Sequence, residues 1–265
     1  MNSVWFGSLT STLIVSIISI TGIFFLALKT QKLQKVVFVL VSFAVGALLG
    51  NVFFHLLPES FESIDNTSLI AVLVMVGILV FFIMEKFLHW HHGHSVEETH
   101  HHHLKSYGYI SLFADGMHNF TDGILIAAGW MASPEIGIAT TLAVVLHEIP
   151  QEISDFGILI HAGFTAKKAI LLNFYAALAA ILGNVVTLLL GTRIESFAAY
   201  VLPIAAGGFI YLAGTDLMPE LNKDRSKLNS FIQLVMIIAG LLLMYFVMGD
   251  HSHAGHVHGH EGHVH

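Results

Sequence analysis

The stretch VVLHEIPQEISDF, residues 144–156, decides how this chain is read. It lies inside an apolar run long enough to cross a bilayer, yet it carries His147, Glu148, Gln151, Glu152 and Asp155. On a helix, at about 100° per residue, these five side chains fall in one stripe about 140° wide. The preceding apolar run holds a partner stretch, DGMHNFTDG at 115–123, whose Asp115, His118, Asn119 and Asp122 share an arc of about 100° on a helix. Each run is therefore expected to be a helix with one polar face and one face fit for lipid.

The rest of the chain supports a membrane setting. Of 265 residues, 55% are hydrophobic and only 11% charged, and the charges cluster between apolar runs of about 20 residues, the length of a membrane-crossing helix. Hydropathy places eight spans, at 5–28, 36–57, 68–88, 107–131, 135–161, 168–191, 197–218 and 230–248. The fold class is thus all-α and polytopic, with residues 1–265 as one transmembrane domain. The first run lacks a basic leader and is read as a retained span. The absence of cysteine excludes disulfides, thiolate metal sites and cysteine nucleophiles.

Orientation follows from the basic residues. Lys29, Lys32, Lys35, Lys86, Lys105, Lys167, Lys168, Lys223, Arg225 and Lys227 all border odd-numbered loops, and Arg193 alone lies on the other side. The positive-inside rule then puts the odd loops in the cytoplasm and both termini outside. A multi-pass protein of the inner or plasma membrane is expected.

An acidic side chain at mid-membrane costs about 2.5–3.5 kcal/mol on the insertion scale, so the five carboxylates of the two stripes together are a burden of order 10 kcal/mol. Neither span holds a Lys or Arg, which leaves protons, water or bound cations as compensation. Imidazole nitrogens mixed with carboxylate and amide oxygens suit Zn²⁺, Fe²⁺ or Mn²⁺, whereas an all-oxygen cage suits Ca²⁺ or Mg²⁺. Pro150 has no N–H for the carbonyl of Leu146 and is expected to bend the fifth span there, where a hydrated path would serve the freed carbonyl.

An internal similarity adds to this. GALLGNVFFHLLPE (46–59) aligns without gaps on GGFIYLAGTDLMPE (207–220), at the ends of the second and seventh spans, which run in opposite directions. A true repeat would be an inverted one, as in many transporters. A polar pair then stands at each mouth, His55 with Glu59 outside and Asp216 with Glu220 inside.

HNFTDG at 118–123 and HEIPQE at 147–152 together resemble the ZIP family of divalent metal transporters, in the branch with HNFTDG and HEIPHE in the fourth and fifth spans. The resemblance covers nearly the whole chain. It implies two adjacent metal sites: one of His118, Asp122, His147 and Gln151, the other of Asn119, Asp122, Glu148 and Gln151, with Asp122 bridging. Gln151 departs from the usual His or Glu, and Glu152 is the residue that compensates for it. Asp115 and Asp155 are expected to support the ligands or line the path. The resemblance further implies a mobile unit of spans one, four, five and six, closely packed through Ala176, Ala180 and Gly183, moving against spans two, three, seven and eight.

Two His-rich segments complete the pattern, a cytoplasmic loop at 89–104 and an external tail at 250–265. Tracts of imidazole bind Zn²⁺ loosely, and the loop is expected to buffer incoming metal. The expected function is uptake of Zn²⁺ into the cytoplasm, with Cd²⁺, Fe²⁺ and Mn²⁺ as other substrates and with no enzymatic step. The partners are metal ions and the bilayer, without nucleic acid, and a homodimer stays open. The rivals are an intramembrane zinc metalloprotease, since HEIPQE looks like H-E-x-x-H, and a proton-coupled carrier of another solute. Gln151 in place of the second His counts against the first.

Overall fold

A computed structural model describes residues 2–23, 30–90, 100–191, 193, 196–222 and 226–249. The tail 250–265 and residues 91–99 of the His-rich loop lie outside the described residues. Among those described there is no strand, and the chain forms eight helical rods. These are α1 (Asn2–Ile18, continued by a 3-10 segment Ser19–Ile23), α2 (Thr30–Asn51, a π-helical turn Val52–Leu56, then Leu57–Ser63), α3 (Thr67–Trp90) and α4 (His100–Ala132). The others are α5 (Pro134–His161), α6 (Ala166–Ala177 and Ala179–Gly191), α7 (Phe197–Leu212, a π-helical turn Ala213–Leu217, then Met218–Leu221) and α8 (Lys227–Gly249). All but α4 and α5, the two rods with the polar stripes, are long and apolar enough to cross a membrane, which makes six.

Local chemistry sets the rod ends. Ser133 caps α5 by accepting from the N–H of Ile136 at 3.2 Å, with Pro134 in the first turn where a missing N–H costs nothing. Thr165 caps α6 in the same way through the N–H of Lys168. Gly163, at φ +85°, supplies the left-handed turn between α5 and α6. The helix of α5 runs unbroken through Pro150.

The rods pack as two groups. In one, α4 lies on α5 and α6, and α1 lies on α5, α6 and α4. Small and hydroxyl residues hold it together. Asn184 Nδ2 donates to Ser8 Oγ at 2.6 Å, Ser16 Oγ donates to the Ala177 carbonyl at 2.9 Å, and Trp130 Nε1 donates to Ser11 Oγ at 3.0 Å. A Cβ on Gly183 would run into the Phe120 carbonyl, so α4 and α6 touch backbone to backbone, as small residues allow where helices pack without a hydrophobic drive.

In the other group α2 lies on α8 and α7 on α3. The aligned glycines mark these crossings: a Cβ on Gly46 would meet the Ile237 carbonyl of α8, and one on Gly207 the Val74 carbonyl of α3. The two π-helical turns, Val52–Leu56 and Ala213–Leu217, also occupy matching positions of the aligned segments, each followed by Pro two residues on. The groups meet mainly through α5 against α2 and α4 against α7. That seam carries the polar stripes.

Candidate metal site

The polar faces of α4 and α5 meet each other. His118 and Asp122, one turn apart on α4, come together with His147 and Glu148 on α5. His118 Nε2 lies 3.3 Å from His147 Nε2, 3.4 Å from Glu148 Oε1 and 3.7 Å from Asp122 Oδ2. His147 Nε2 lies 3.4 Å from Asp122 Oδ2 and 3.7 Å from Glu148 Oε1. Four ligands held tetrahedrally at about 2.0–2.1 Å from a zinc ion stand about 3.3–3.4 Å from one another, so these spacings fit one ion at their centre.

Orientation and burial agree with the spacing. The Nδ1–H of His147 donates to the Ala143 carbonyl at 2.9 Å, which leaves Nε2 as the lone-pair nitrogen turned to the cluster. Asp122, His147 and Glu148 are buried and His118 is half-buried. Neither oxygen of Asp122 makes a hydrogen bond, and neither does Glu148 Oε1. Three buried carboxylate oxygens lacking donors, beside two imidazoles, form a set suited to a cation or to protons.

Access is one-sided. A cavity of about 580 Å³ reaches His118 and runs between the two groups, past Gln151 and Asp155 to Glu85, Asp216 and Glu220. These residues belong to the beginning of α4 and the ends of α3, α5 and α7, the end of the molecule bearing the odd-numbered loops. Toward the other end the seam is filled by an apolar cluster that includes Leu48, Val52, Leu125, Val144, Leu202 and Phe209. The Phe209 ring closes edge-on against His147, with centroids 6.3 Å apart.

The remaining expected residues stand elsewhere. Asn119 is buried beside the cluster with its amide turned back, Nδ2 donating to Asp115 Oδ1 at 2.8 Å. Glu152 is buried against α6, where its Oε2 accepts from Asn173 Nδ2 at 3.0 Å. Asp155 accepts from Ser111 Oγ at 3.5 Å. His55 is buried in the π-helical turn of α2 on the apolar side, whereas Asp216, its counterpart in the aligned segment, lines the cavity. Glu59 accepts from Ser63 Oγ at 3.2 Å at the surface.

Sequence reading passed over three polar residues that the fold brings near: Asn173, Glu85 and the Tyr211 hydroxyl that donates to Glu85. Asn173 precedes Ala176, Ala180 and Gly183 by 3, 7 and 10 positions, so it shares the helix face of those small residues. That spacing was the available signal.

The comparisons with known proteins all lead to one family. The family model for the ZIP zinc transporter matches residues 2–108 and 91–248. Zinc transporter ZIP13 of Pongo abelii is 36% identical over 219 residues, covering 77% of this chain and 65% of that protein. Zinc transporter ZIP13 of Homo sapiens is 32% identical over 255 residues, with 77% and 69% covered. Zinc transporter zipt-7.1 of Caenorhabditis briggsae is 30% identical over 310 residues, with 92% and 79% covered. With the family model matching nearly its whole described length, the chain belongs to the ZIP zinc transporter family.

Proposed function

We propose that the chain carries divalent metal, Zn²⁺ foremost, across the inner or plasma membrane into the cytoplasm, with His118, Asp122, His147 and Glu148 as the ligands of the passing ion. The observation that carries this reading is the near-tetrahedral spacing of four donors from two helices, three of them buried and one half-buried. All eight rods cross the bilayer, α4 and α5 with their polar stripes turned inward, and the odd-numbered loops lie in the cytoplasm because ten of the eleven basic residues border them. The cavity is then the way out. Gln151, Asp155, Asp216 and Glu220 lead from the cluster to the cytoplasmic face, and the apolar cluster around Phe209 holds the outer side shut.

Transport needs the reverse arrangement as well. The grouping of α1, α4, α5 and α6 against α2, α3, α7 and α8 supports motion of one group on the other, and the matched π-helical turns and crossing glycines support an inverted repeat. In the outward form His55 and Glu59 would line an outer cavity as Asp216 and Glu220 line the inner one. Proteolysis is not favoured. The site takes its donors from two helices, and Gln151 stands where the H-E-x-x-H motif needs its second His.

Zn²⁺ flux into proteoliposomes tests both levels. The wild-type protein is expected to carry Zn²⁺ and the His118→Ala, Asp122→Ala and His147→Ala proteins to lose it. Absence of wild-type flux for every divalent metal tried would sink the function. Wild-type flux in His147→Ala would sink the ligand assignment alone.

A further inference from the structure

Asn51 lies on the shut side of the seam, on α2 just before its π-helical turn, flanked along the helix by Leu48 and Val52 of the apolar cluster. Its Nδ2 donates to Thr140 Oγ1 of α5 at 3.4 Å, a long bond between two side chains that are each 0% exposed. Its Oδ1 has no donor. The contact joins the two groups of rods, whereas the hydrogen bonds of Asn184, Ser16, Trp130, Asn173 and Tyr211 each stay within one group. Thr140 is hemmed in on its own side by α4, where a Cβ on Gly129 would stand 3.0 Å from Thr140 Oγ1.

A half-satisfied amide inside an apolar plug carries a cost that its neighbours do not share. A buried polar group without a partner has lost its hydration and gained nothing in return, and an apolar side chain of the same shape avoids that loss. Leucine has that shape, and Leu212 stands at the matched position of the aligned segment, lining the cavity on the open side. The two closures thus differ at one matched position. The outer one buries an amide oxygen without a donor, and an inner one built by the same repeat would bury a leucine. When the outer side opens, water reaches both ends of the Asn51 amide, so the cost exists only in the shut form. We propose that Asn51 is a conformational bias built into the outer closure: its half-satisfied amide raises the free energy of the shut form and keeps the plug easy to open. Thr140 limits the bias by serving one end of the amide. The inference rests on the two-sided motion proposed for transport, in which the shut side opens in turn.

The test measures how often the plug opens. Val144, buried in the plug, becomes a reporter as Val144→Cys in a chain with no cysteine of its own. A membrane-impermeant maleimide presented on both faces of proteoliposomes should react with it only while the shut side is open. Thr140→Val in that background keeps the shape of the side chain and leaves the whole amide unsatisfied, so labelling should speed up by about fivefold or more. Asn51→Leu added to Thr140→Val makes both partners apolar, and labelling should fall to about a fifth of the Val144→Cys rate or less. Opposite signs at one contact separate a bias from loosened packing, which speeds labelling in both. Equal rates in the three proteins, or faster labelling in both variants, would overturn the proposal. If the double variant does not fold, Thr140→Val decides alone, with unchanged or slower labelling against the proposal. No labelling of Val144→Cys from either face would sink the two-sided motion itself, and the bias with it.

Discussion

His147 holds its ring by one backbone contact, Nδ1–H to the Ala143 carbonyl at 2.9 Å, and by the Phe209 ring beside it. The contact selects the tautomer with a free Nε2, so that nitrogen faces the cluster before any ion arrives. Glu148→Gln keeps the shape and removes the charge. Zn²⁺ affinity is expected to fall by at least about 10–100-fold, the cost known for losing even an outer partner of a ligand, read as a raised KM in flux assays. Gln151→His should act the other way. It adds an imidazole beside the cavity, so Zn²⁺ is expected to bind more tightly and leave more slowly, with KM and maximal flux both lowered. Unchanged KM would show that position 151 does not meet the ion. At this scale the polar faces were legible, because stripes at helical spacing held His118, Asp122, His147 and Glu148 among nine polar residues; the two expected ligand sets, each with Gln151, differ from the four donors that the fold brings together. The role of Glu152 was not legible, since its partner Asn173 stands on another helix.

At the scale of elements, closeness between backbones decides which helices pair. Gly46 and Gly207 sit where α2 crosses α8 and α7 crosses α3, and a side chain at either would meet a carbonyl. Gly46→Leu and Gly207→Leu should each destabilise by about 1–3 kcal/mol through overpacking, seen as a lowered Tm in detergent, and by similar amounts if the two crossings are equivalent. Trp130→Phe removes the indole donor to Ser11 that ties α4 to α1. A loss of about 1 kcal/mol is expected, with the KM for Zn²⁺ unchanged because Trp130 lies outside the cluster. The short match of 46–59 with 207–220 hinted at equivalence of α2 and α7. Only the fold showed a π-helical turn at the same place in both, because a π turn depends on how neighbouring helices accommodate one extra residue and not on a residue type.

The whole molecule is open at one end and shut at the other. The chain has no cysteine, so introduced ones report accessibility without background. Ser154→Cys, in the cavity, should react with a membrane-impermeant maleimide added from the cytoplasmic side. Val144→Cys, buried in the apolar cluster, should resist the reagent from that side. Trapping the protein in its outward form should reverse the pattern near His55. Labelling of Ser154→Cys only from outside would invert the orientation drawn from the basic residues.

By itself the sequence determined that this chain is helical and membrane-bound, and which faces of two helices are polar, because hydropathy and the helical period act locally along the chain. It also carried two motifs that resemble those of the family. The tertiary structure decided which donors converge, that Glu152 turns to Asn173 rather than to the imidazoles, and which end of the seam is filled. Those outcomes depend on the distance and rotation between helices, which are set by the packing of small residues from parts of the chain far apart in sequence.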